Sequence, residues 1–241
     1  MKVAVIGYGR MGHEVEAVLG ERGHEPVIVR RGEPFPKACP VGIDFTNAES
    51  VVPNVEAALA AGARYVVGAT GWTDREPEVR AMVDRAQGGL VHAANFSLGV
   101  GLFYEIVRNA AALMARFPEY DPYVLEKHHR KKKDAPSGTA QVLAGLVAEA
   151  SGQAKHPVAH LEGALASDAF QVAAVRAGGI VGEHTVGFDS GGDEILLEHR
   201  ARSRRGFAQG AVLAAEWIVD RKGFHPFAEV LRSLIEAEEP R

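Results

Sequence analysis

VAVIGYGRMG, at residues 3–12, is the stretch that decides the fold of this 241-residue chain. Its apolar beginning predicts a short buried strand at residues 3–7, and a helix follows the glycines. Gly7, Gly9 and Gly12 have the spacing of a dinucleotide loop: the first allows a tight turn, the second lets a pyrophosphate approach the backbone, and the third permits close helix-to-strand packing. Because the motif lies between a strand and a helix, it predicts a dinucleotide site. A glycine-rich turn without a ligand is the alternative.

Strands and helices alternate as far as about residue 93, and this alternation predicts a parallel sheet. The first predicted helix has Met11, Val15, Val18 and Leu19 on one face and Gly23 at its end. Thr73 and Glu76 have the spacing of a capping box, which predicts the start of a helix that runs to about residue 86. The other predicted elements are a strand ending near Val29, strands at residues 41–45, 65–67 and 90–93, and a helix at about 50–61.

The pattern changes after Asn95. Two helices are predicted, at about residues 98–116 and after Ser137, and strands are predicted at 171–176, 180–188 and 194–203, with a hairpin connection at 190–193. An amphipathic helix at about 207–221 is expected to return to the first domain. The predicted fold class is therefore α/β, an N-terminal Rossmann-type parallel sheet with a second α+β domain of mixed or antiparallel sheet.

The composition is that of an ordinary soluble protein, with 46% hydrophobic residues, a formal net charge of -4 and a pI near 6.2. No stretch has the length and apolarity of a membrane span or a signal-peptide core. Cys39 is the single cysteine, which excludes an internal disulfide and fits a reducing compartment. We therefore expect a cytoplasmic protein without a membrane partner.

The segment EKHHRKKKDAPSGTA, residues 126–140, places two histidines and a run of cations before a helix start. Ser137 is the expected N-cap, and the free N–H groups of the first helical turn form an anion site that suits a carboxylate or a phosphate. A solvated basic loop is the alternative. A nucleic-acid patch is disfavoured, because the chain is slightly acidic and no aromatic residue is interleaved with the lysines.

Arg30 and Arg31 follow the second predicted strand, where a carboxylate would bind the ribose 2′-hydroxyl of NAD. Guanidinium groups bind the 2′-phosphate of NADP bidentately. The pair therefore predicts that NADPH is used at least as well as NADH. Two surface arginines at the end of a strand are the alternative.

Five motifs, in this order, resemble the dihydrodipicolinate reductase (4-hydroxy-tetrahydrodipicolinate reductase) family. They are GYGRMG at residues 7–12, GATGW at 68–72, HAANFSLGVG at 92–101, the segment at 126–140 and RAGGIVGEHTVGF at 176–188. The resemblance covers nearly the whole chain. It implies a nicotinamide-binding Rossmann domain at about 1–96 and 208–241, a substrate and tetramerisation domain at about 97–207, and a homotetramer in the diaminopimelate route to lysine.

The resemblance also implies the site residues. His128 takes the position of the family's proton donor or acceptor, Lys132 that of its second proton donor, and His129 that of a substrate-binding histidine. The remaining positions are the substrate turn Ser137, Gly138 and Thr139, and the cofactor-binding residues Gly7, Tyr8, Gly9, Arg10, Met11, Gly12, Arg30, Arg31, Gly68, Ala69, Thr70, Ala93, Ala94, Asn95 and Phe96. Ala69, where a threonine is frequent, weakens a side-chain role there but not a backbone contact. Arg30, where an acidic residue is frequent, puts an NADH preference in doubt.

The implied chemistry agrees with the residue types. A cyclic dicarboxylate needs fixed donors for two anions, and hydride transfer to ring C4 must be matched by a proton from a positioned acid. Neighbouring cations and partial burial favour proton release by Lys132, and His128 is suited to acid or base work or to orienting the ring. Lys131 and Lys133 are expected to point elsewhere. No cysteine, histidine or carboxylate spacing indicates a metal.

The acidic and aromatic neighbours have more ordinary expected roles. Glu126, Asp134 and Glu183 are expected to be structural partners of the cations, and Phe96 and Phe103 to pack in the core or at a hinge. Two other functions stay open: another two-domain NAD(P)-dependent amino-acid or keto-acid dehydrogenase, and a non-catalytic NADPH-sensing module.

Overall fold

The computed structural model describes residues 1–152 and 154–236. The chain forms two compact units, one built from Met1–Leu98 with the segment that begins at Arg204, the other from Gly99–Ser203. The strands are β1 (Lys2–Ile6), β2 (Glu25–Val29), β3 (Val41–Asp44), β4 (Arg64–Val67), β5 (Gly89–His92), β6 (Asp121–His128), β7 (His156–Val158), β8 (Ala169–Arg176), β9 (Glu183–Asp189), β10 (Glu194–Arg200) and β11 (Gly223–Pro226). The helices are α1 (Arg10–Glu21), α2 (Ala48–Ala60), α3 (Glu76–Arg85), α4 (Leu98–Met114), α5 (Gly138–Ala150), α6 (Arg205–Ile218) and α7 (Phe227–Glu236).

The first unit contains a six-stranded parallel sheet in the order β2–β1–β3–β4–β5–β11. Helices cover both faces of this sheet. Successive side chains of a strand point to opposite sides, so each strand contributes residues to both layers of packing. Val3 and Val5 face α1, α6 and α7, whereas Ala4 and Ile6 face α2 and α3. This arrangement confirms the predicted Rossmann-type sheet. Its switch point lies between β1 and β3, where ligands bind at the carboxyl ends of the strands.

The second unit contains a five-stranded mixed sheet in the order β10–β9–β6–β8–β7. Strand β6 is antiparallel to β9 and parallel to β8, so the mixed alternative of the prediction is confirmed. Helices α4 and α5 cover one face, and their buried side chains pack against residues of β6, β8 and β9, such as Val124, Phe170 and Val186. Among the described residues, no helix is long and apolar enough to cross a membrane.

Several predicted local features are corrected. The capping box of Thr73 and Glu76 is wrong: residues Thr73–Arg75 form a 3₁₀ turn, and α3 begins after Arg75 without a side-chain cap. Two predicted strands are shorter or shifted, at Glu183–Asp189 and Glu194–Arg200. Strands β6, β7 and β11 and helix α7 were not predicted. Strand β6 is the important omission, because it carries the first residues of the cationic segment.

Candidate active site

The glycine loop of the first unit has the geometry that a dinucleotide needs. Gly7 has φ +80°, and its N–H donates to the carbonyl of Val29 at 2.9 Å. A Cβ on Gly12 would lie 2.5 Å from the carbonyl oxygen of Gly7, so the helix packs on the loop only because this residue lacks a side chain. A Cβ on Gly9 would meet no protein atom within 4 Å. The protein's own packing therefore does not require Gly9, and its open side suits a ligand that approaches the backbone.

Helix α1 begins without a side-chain cap, because its N-cap is Gly9. The N–H groups of its first turn, from Arg10, Met11 and Gly12, lack intrahelical acceptors and can donate to an anion. Tyr8, the second residue of the loop, donates its hydroxyl to Glu16. That hydrogen bond raises the pKa of Tyr8, while the charge of Arg30 acts in the opposite direction.

Arg30 and Arg31 lie exposed after β2. The turn that carries them is closed by two hydrogen bonds: the N–H of Arg30 donates to the Glu33 carboxylate at 2.7 Å, and the N–H of Glu33 donates to the Arg30 carbonyl at 3.0 Å. Because both guanidinium groups are exposed, they are available to an anionic ligand. Nothing in this geometry selects NADPH over NADH.

The other predicted cofactor loops follow neighbouring strands of the same sheet. Gly68 follows β4 and donates its N–H to the backbone carbonyl of Asp44 at 2.8 Å, and Ala93 follows β5 and donates its N–H to the carbonyl of Val67 at 3.2 Å. A Cβ on Gly68 would lie 2.1 Å from the Phe45 ring. Gly68, Ala69 and Thr70 thus lie beside Ala93, Ala94, Asn95 and Phe96 at the carboxyl edge of the sheet.

The sequence-based prediction missed Asp44, Phe45 and Thr46, which hold this edge together. A Cβ on Gly7 would lie 2.7 Å from the Thr46 methyl, and a Cβ on Gly68 would strike Phe45, so these two residues lie between the cofactor loops. The Asp44 carboxylate is fully buried and accepts four hydrogen bonds, from Thr46 N–H at 2.7 Å, Thr46 hydroxyl at 2.6 Å, Asn54 at 2.9 Å and Tyr65 at 3.1 Å. A carboxylate as the last residue of a buried strand was the available signal.

Phe96 and Asn95 have structural tasks within their loop. The Phe96 ring is 1% exposed and contacts the rings of Phe227 and Phe45 at centroid distances of 4.8 and 6.1 Å. The Asn95 side chain accepts the N–H of Ser97 at 2.8 Å and so forms a local turn. Because the Phe96 ring packs in the core, a cofactor contact at this residue is restricted to its backbone.

In the second unit, β6 carries Glu126 and His128 to its carboxyl end. Buried and partly buried positions alternate along this strand, so Val124, Glu126 and His128 share its buried face. The sheet register places Glu126 opposite His184 of β9 and His128 opposite Arg176 of β8. Three strands thus bring these four polar residues together.

The Glu126 carboxylate is 0% exposed and lies at the centre of this cluster. Its Oε1 accepts hydrogen bonds from Arg176 Nη2 at 2.6 Å and from the Ser137 N–H at 3.1 Å, and its Oε2 lies 2.6 Å from Nδ1 of His128. Burial raises the pKa of Glu126, but the bonds from Ser137 and Arg176 and the nearby His128 outweigh it, and the net pKa lies below the ordinary value. Glu126 is therefore ionised at neutral pH.

Both buried histidines are held neutral at neutral pH. Burial lowers the pKa of His128, and the charges of Lys132 and Arg176 lower it further against the opposing effect of Glu126. Burial, reinforced by His128, lowers the pKa of His184 to about 4. The two rings meet edge to face at 5.0 Å.

The residues after β6 form a turn that separates the cations. The Lys132 N–H donates to the His129 carbonyl at 3.1 Å, and the Lys132 ammonium pairs with Asp134 at 2.8 Å. Lys132 is half-buried, whereas His129, Lys131 and Lys133 are exposed. The Lys132 pair lowers the pKa of Asp134.

Ser137 is the N-cap of α5, as predicted, with its hydroxyl accepting the Ala140 N–H at 3.2 Å. Its own N–H is held by Glu126, and its hydroxyl also contacts Nε2 of His184 at 3.3 Å. Ser137 is thus occupied in shaping the turn. The backbone N–H groups of Gly138 and Thr139 belong to the open first turn of the helix and can donate to an anion.

The Glu126, His128 and His184 cluster also has the donor types of a metal site, with its ligand atoms within 4.8 Å of one another. Sequence spacing gave no sign of it, because its members come from two strands. Arg176 already donates to this carboxylate at 2.6 Å, and its positive charge would repel a dication placed there. We therefore interpret the cluster as a hydrogen-bond and ion-pair network.

Known proteins resemble this chain along nearly all of its length. Residues 99–231 match the family model for the C-terminus of dihydrodipicolinate reductase, and residues 19–96 match the model for its N-terminus. The chain is 34% identical over 239 residues to a 4-hydroxy-tetrahydrodipicolinate reductase of Christiangramia forsetii, with 97% of this chain and 99% of that protein covered. It is 42% identical over 196 residues to a protein of the same name from Archaeoglobus fulgidus, with 78% and 74% covered.

A solved structure gives an independent comparison of the fold. The dipicolinate-bound dihydrodipicolinate reductase from Paenisporosarcina sp. TG-14 superposes with a TM-score of 0.74 at 24% identity, over 95% of this chain and 98% of that one. At this level of identity the similarity concerns the fold.

Proposed function

The chain belongs to the dihydrodipicolinate reductase family, and from that premise we propose how its residues carry out the reaction. The protein is an NAD(P)H-dependent oxidoreductase, a 4-hydroxy-tetrahydrodipicolinate reductase of the diaminopimelate route to lysine. NAD(P)H, when bound, supplies a hydride to ring C4, and the hydroxylated ring loses water in the overall reaction. The residues described above bind the two ligands and handle the protons.

The first unit binds the dinucleotide. The α1 N-terminus and the open side of Gly9 receive the pyrophosphate, and the loops that begin at Gly68 and Ala93 receive the nicotinamide. Arg30 and Arg31 bind the 2′-phosphate of NADPH, which makes NADPH at least as good a cofactor as NADH. The exposure of both guanidinium groups supports this proposal.

The second unit binds the cyclic dicarboxylate. One carboxylate accepts hydrogen bonds from the N–H groups of Gly138 and Thr139, in the turn that Ser137 shapes, and the exposed His129 binds the other. Lys132 donates a proton to the reacting ring, and His128 acts at the same ring as acid, base or orienting group. One observation carries this proposal: a single segment holds the groups that the reaction needs. Along it follow the buried carboxylate of Glu126, the neutral His128, the half-buried Lys132 and the open N-terminus of α5.

We also propose that the enzyme is a cytoplasmic homotetramer assembled through the second unit. The family resemblance supports the tetramer. Apolar side chains exposed on this unit agree with it, and they are Leu102, Ile106 and Leu113 of α4 and Ile195 and Leu196 of β10. The free, buried thiol of Cys39 agrees with a reducing compartment.

Oxidation of NADPH that depends on freshly prepared cyclic dicarboxylate, followed by nicotinamide absorbance, tests the function. We expect Lys132→Ala to lower kcat by roughly 10²–10⁴-fold, the usual scale for loss of a general acid. Lys133→Ala is the matched control, because this neighbouring lysine is exposed, and it should retain activity. A loss confined to KM would reassign Lys132 to binding, and equal losses in both variants would remove its special role.

A further inference from the structure

We propose that Glu126 is a positioning residue that holds the proton of neutral His128 on Nδ1, so that Nε2 is a proton acceptor in the resting enzyme. This inference rests on the proposed function and assigns one direction to a histidine that the sequence leaves as acid, base or orienter. His128 is then the base and Lys132 the donor. His184 and Arg176 support Glu126 from the neighbouring strands.

The orientation of the Glu126 carboxylate determines which atom faces His128. Oε1 is taken by two donors, Arg176 Nη2 at 2.6 Å and the Ser137 N–H at 3.1 Å, and the side chain is 0% exposed, so water does not compete. Oε2 is left facing Nδ1 of His128 at 2.6 Å. An ionised carboxylate only accepts hydrogen bonds. Neither atom has another hydrogen-bond partner among the described residues, and two lone pairs would repel each other at this separation, so the contact favours a proton on Nδ1 although the N–H points off the straight line to Oε2.

The opposite nitrogen is left open. A neutral imidazole with its proton on Nδ1 has a lone pair on Nε2. Within residues 1–152 and 154–236, no side chain or backbone group hydrogen-bonds to Nε2, and Nε2 is not among the ring nitrogens that are sealed from solvent. A Cβ at Gly182 would lie 3.1 Å from Nε2. The missing side chain at Gly182 therefore keeps the approach to this lone pair free.

His184 keeps the arrangement rigid. Its Nε2 lies 3.3 Å from the Ser137 hydroxyl and 4.0 Å from Oε2 of Glu126, and its ring packs edge to face on His128. A proton on Nε2 of His184 is donated to the Ser137 hydroxyl and points the positive edge of the ring toward Glu126, and it leaves the buried Nδ1 as an unpartnered acceptor, which costs less than an unpartnered N–H. The ring thus holds the Ser137 turn and closes one side of the Glu126 pocket.

An acceptor suits the loss of water from a 4-hydroxylated ring. Nε2 of His128 takes a proton from the ring carbon beside C4, and the electron pair of that C–H bond forms a C=C bond. The C4–O bond breaks, and the departing hydroxide takes a proton from Lys132 to leave as water. After hydride addition at C4, the electrons move toward the ring nitrogen and His128 returns its proton to the ring. The net proton consumed with NAD(P)H comes from Lys132, which solvent reprotonates.

Glu126→Gln tests the inference, because the structure fixes how the amide must lie. The donors Arg176 and Ser137 retain the oxygen of the new amide, so its NH₂ group faces Nδ1 of His128. That nitrogen must then accept, and the ring proton moves to Nε2. We expect two-bond ¹H–¹⁵N NMR of ¹⁵N-histidine-labelled protein to show the Nδ1–H tautomer for His128 in the wild type and the Nε2–H tautomer in Glu126→Gln. A His128→Asn variant assigns the signals.

Activity and its pH profile provide the second measurement. A wrong tautomer beside a catalytic histidine costs on the order of 10⁴ in kcat in the serine-protease example, and we expect a loss of at least about 10²-fold in kcat here. Glu126, Lys132, Arg176 and His184 all face His128, and Glu126 is the one that raises its pKa. Turnover by a neutral base falls at acid pH, so the acid limb of Glu126→Gln should move to lower pH. A merely structural role would lower the plateau without moving this limb.

Control variants separate the outcomes. Glu126→Asp keeps the charge and should retain the wild-type tautomer with a smaller loss, and Glu183→Gln removes a β9 carboxylate that pairs with Lys127 and should change neither property. If Glu126→Gln fails to fold, the double variant Glu126→Gln, Arg176→Gln removes the uncompensated guanidinium and keeps the Ser137 donor. An unchanged tautomer in the folded variant overturns the inference whatever the activity. An inverted tautomer with full turnover supports the positioning by Glu126 and overturns the acceptor role of His128 in the proposed function.

Discussion

Replacement of Arg176 by methionine should destabilise the protein through the buried Glu126 carboxylate. Arg176 donates from Nη2 to Glu126 at 2.6 Å and to the Asp134 carbonyl at 2.5 Å, and its side chain is 18% exposed. Methionine preserves much of the apolar stem but removes the full positive charge that Arg176 places against Oε1. Removal of one partner from a buried ion pair costs about 3–5 kcal/mol. We take the lower end, about 3 kcal/mol, because the Ser137 N–H remains as a donor.

The expected loss corresponds to a fall in Tm of about 6–12 °C, since 1 kcal/mol shifts Tm by roughly 2–4 °C in a protein of this size. Thermal unfolding followed by circular dichroism at constant protein concentration measures it. Arg75→Met is the matched control, because Arg75 forms a similar two-bond pair with the exposed Glu78 in the first unit. Exposed pairs contribute little to stability, so the control should unfold at the wild-type temperature.

The effect should depend on pH with a definite sign. In the wild type the pKa of Glu126 is lowered, so its contribution to stability is present above the unfolded pKa and is lost as pH falls through the folded pKa. Without Arg176, burial dominates, and the pKa of Glu126 in the folded state rises above its value in the unfolded state. The buried, ionised carboxylate then destabilises the variant at neutral pH, and its protonation at acid pH removes this destabilisation. The Tm difference between wild type and variant should therefore be largest near pH 7 and shrink below about pH 5. A difference under about 2 °C at pH 7, or one that grows toward acid pH, would refute the role given to this pair.

Two further predictions concern the cofactor. Gly9→Ala should weaken the binding of both NADPH and NADH by at least about tenfold in Kd, about 1.4 kcal/mol, with an unchanged Tm, because a Cβ there meets no protein atom within 4 Å and can collide only with a ligand. Gly20→Ala, within α1 and equally free of contacts, is the control and should bind both cofactors as the wild type does. Normal cofactor binding by Gly9→Ala would contradict the pyrophosphate site. The double variant Arg30→Ala, Arg31→Ala should raise KM for NADPH by roughly tenfold or more and leave KM for NADH nearly unchanged, since a charge-assisted hydrogen bond contributes about 1.5–3 kcal/mol. Equal effects on the two cofactors would exclude a 2′-phosphate contact.

Local sequence signals predicted the features that depend on a few consecutive residues. The strand, the glycine loop and α1 follow from apolar periodicity and from three glycines, of which close packing requires Gly7 and Gly12 and leaves Gly9 open to a ligand. Ser137 was predicted as an N-cap because a hydroxyl before a helical apolar pattern satisfies a free N–H, and the structure has that bond to Ala140. The parallel sheet followed from the alternation of elements. These features need no knowledge of distant residues.

Strand β6 shows where such signals stop. Its buried face carries Val124, Glu126 and His128, so the inward positions of its last half are polar and charged residues that a periodicity argument assigns to a solvated segment. They are buried because each has partners on another strand. Glu126 was expected to be an ordinary structural partner of the cations, and its contacts place it instead between Ser137, Arg176 and His128.

The sequence by itself thus determined the class of the fold, the dinucleotide loop and the helix that offers its N-terminus to a carboxylate, because periodicity, turn chemistry and capping act over one or two turns of chain. Only the tertiary structure decided which groups surround His128. Arg176 lies 50 residues from Glu126 along the chain, and His184 reaches it through the antiparallel pairing of β6 with β9. Strand register is set by packing of the whole sheet, and that register buries Glu126 and His128 of the basic segment beside His184 and Arg176, while Lys131 and Lys133 stay exposed.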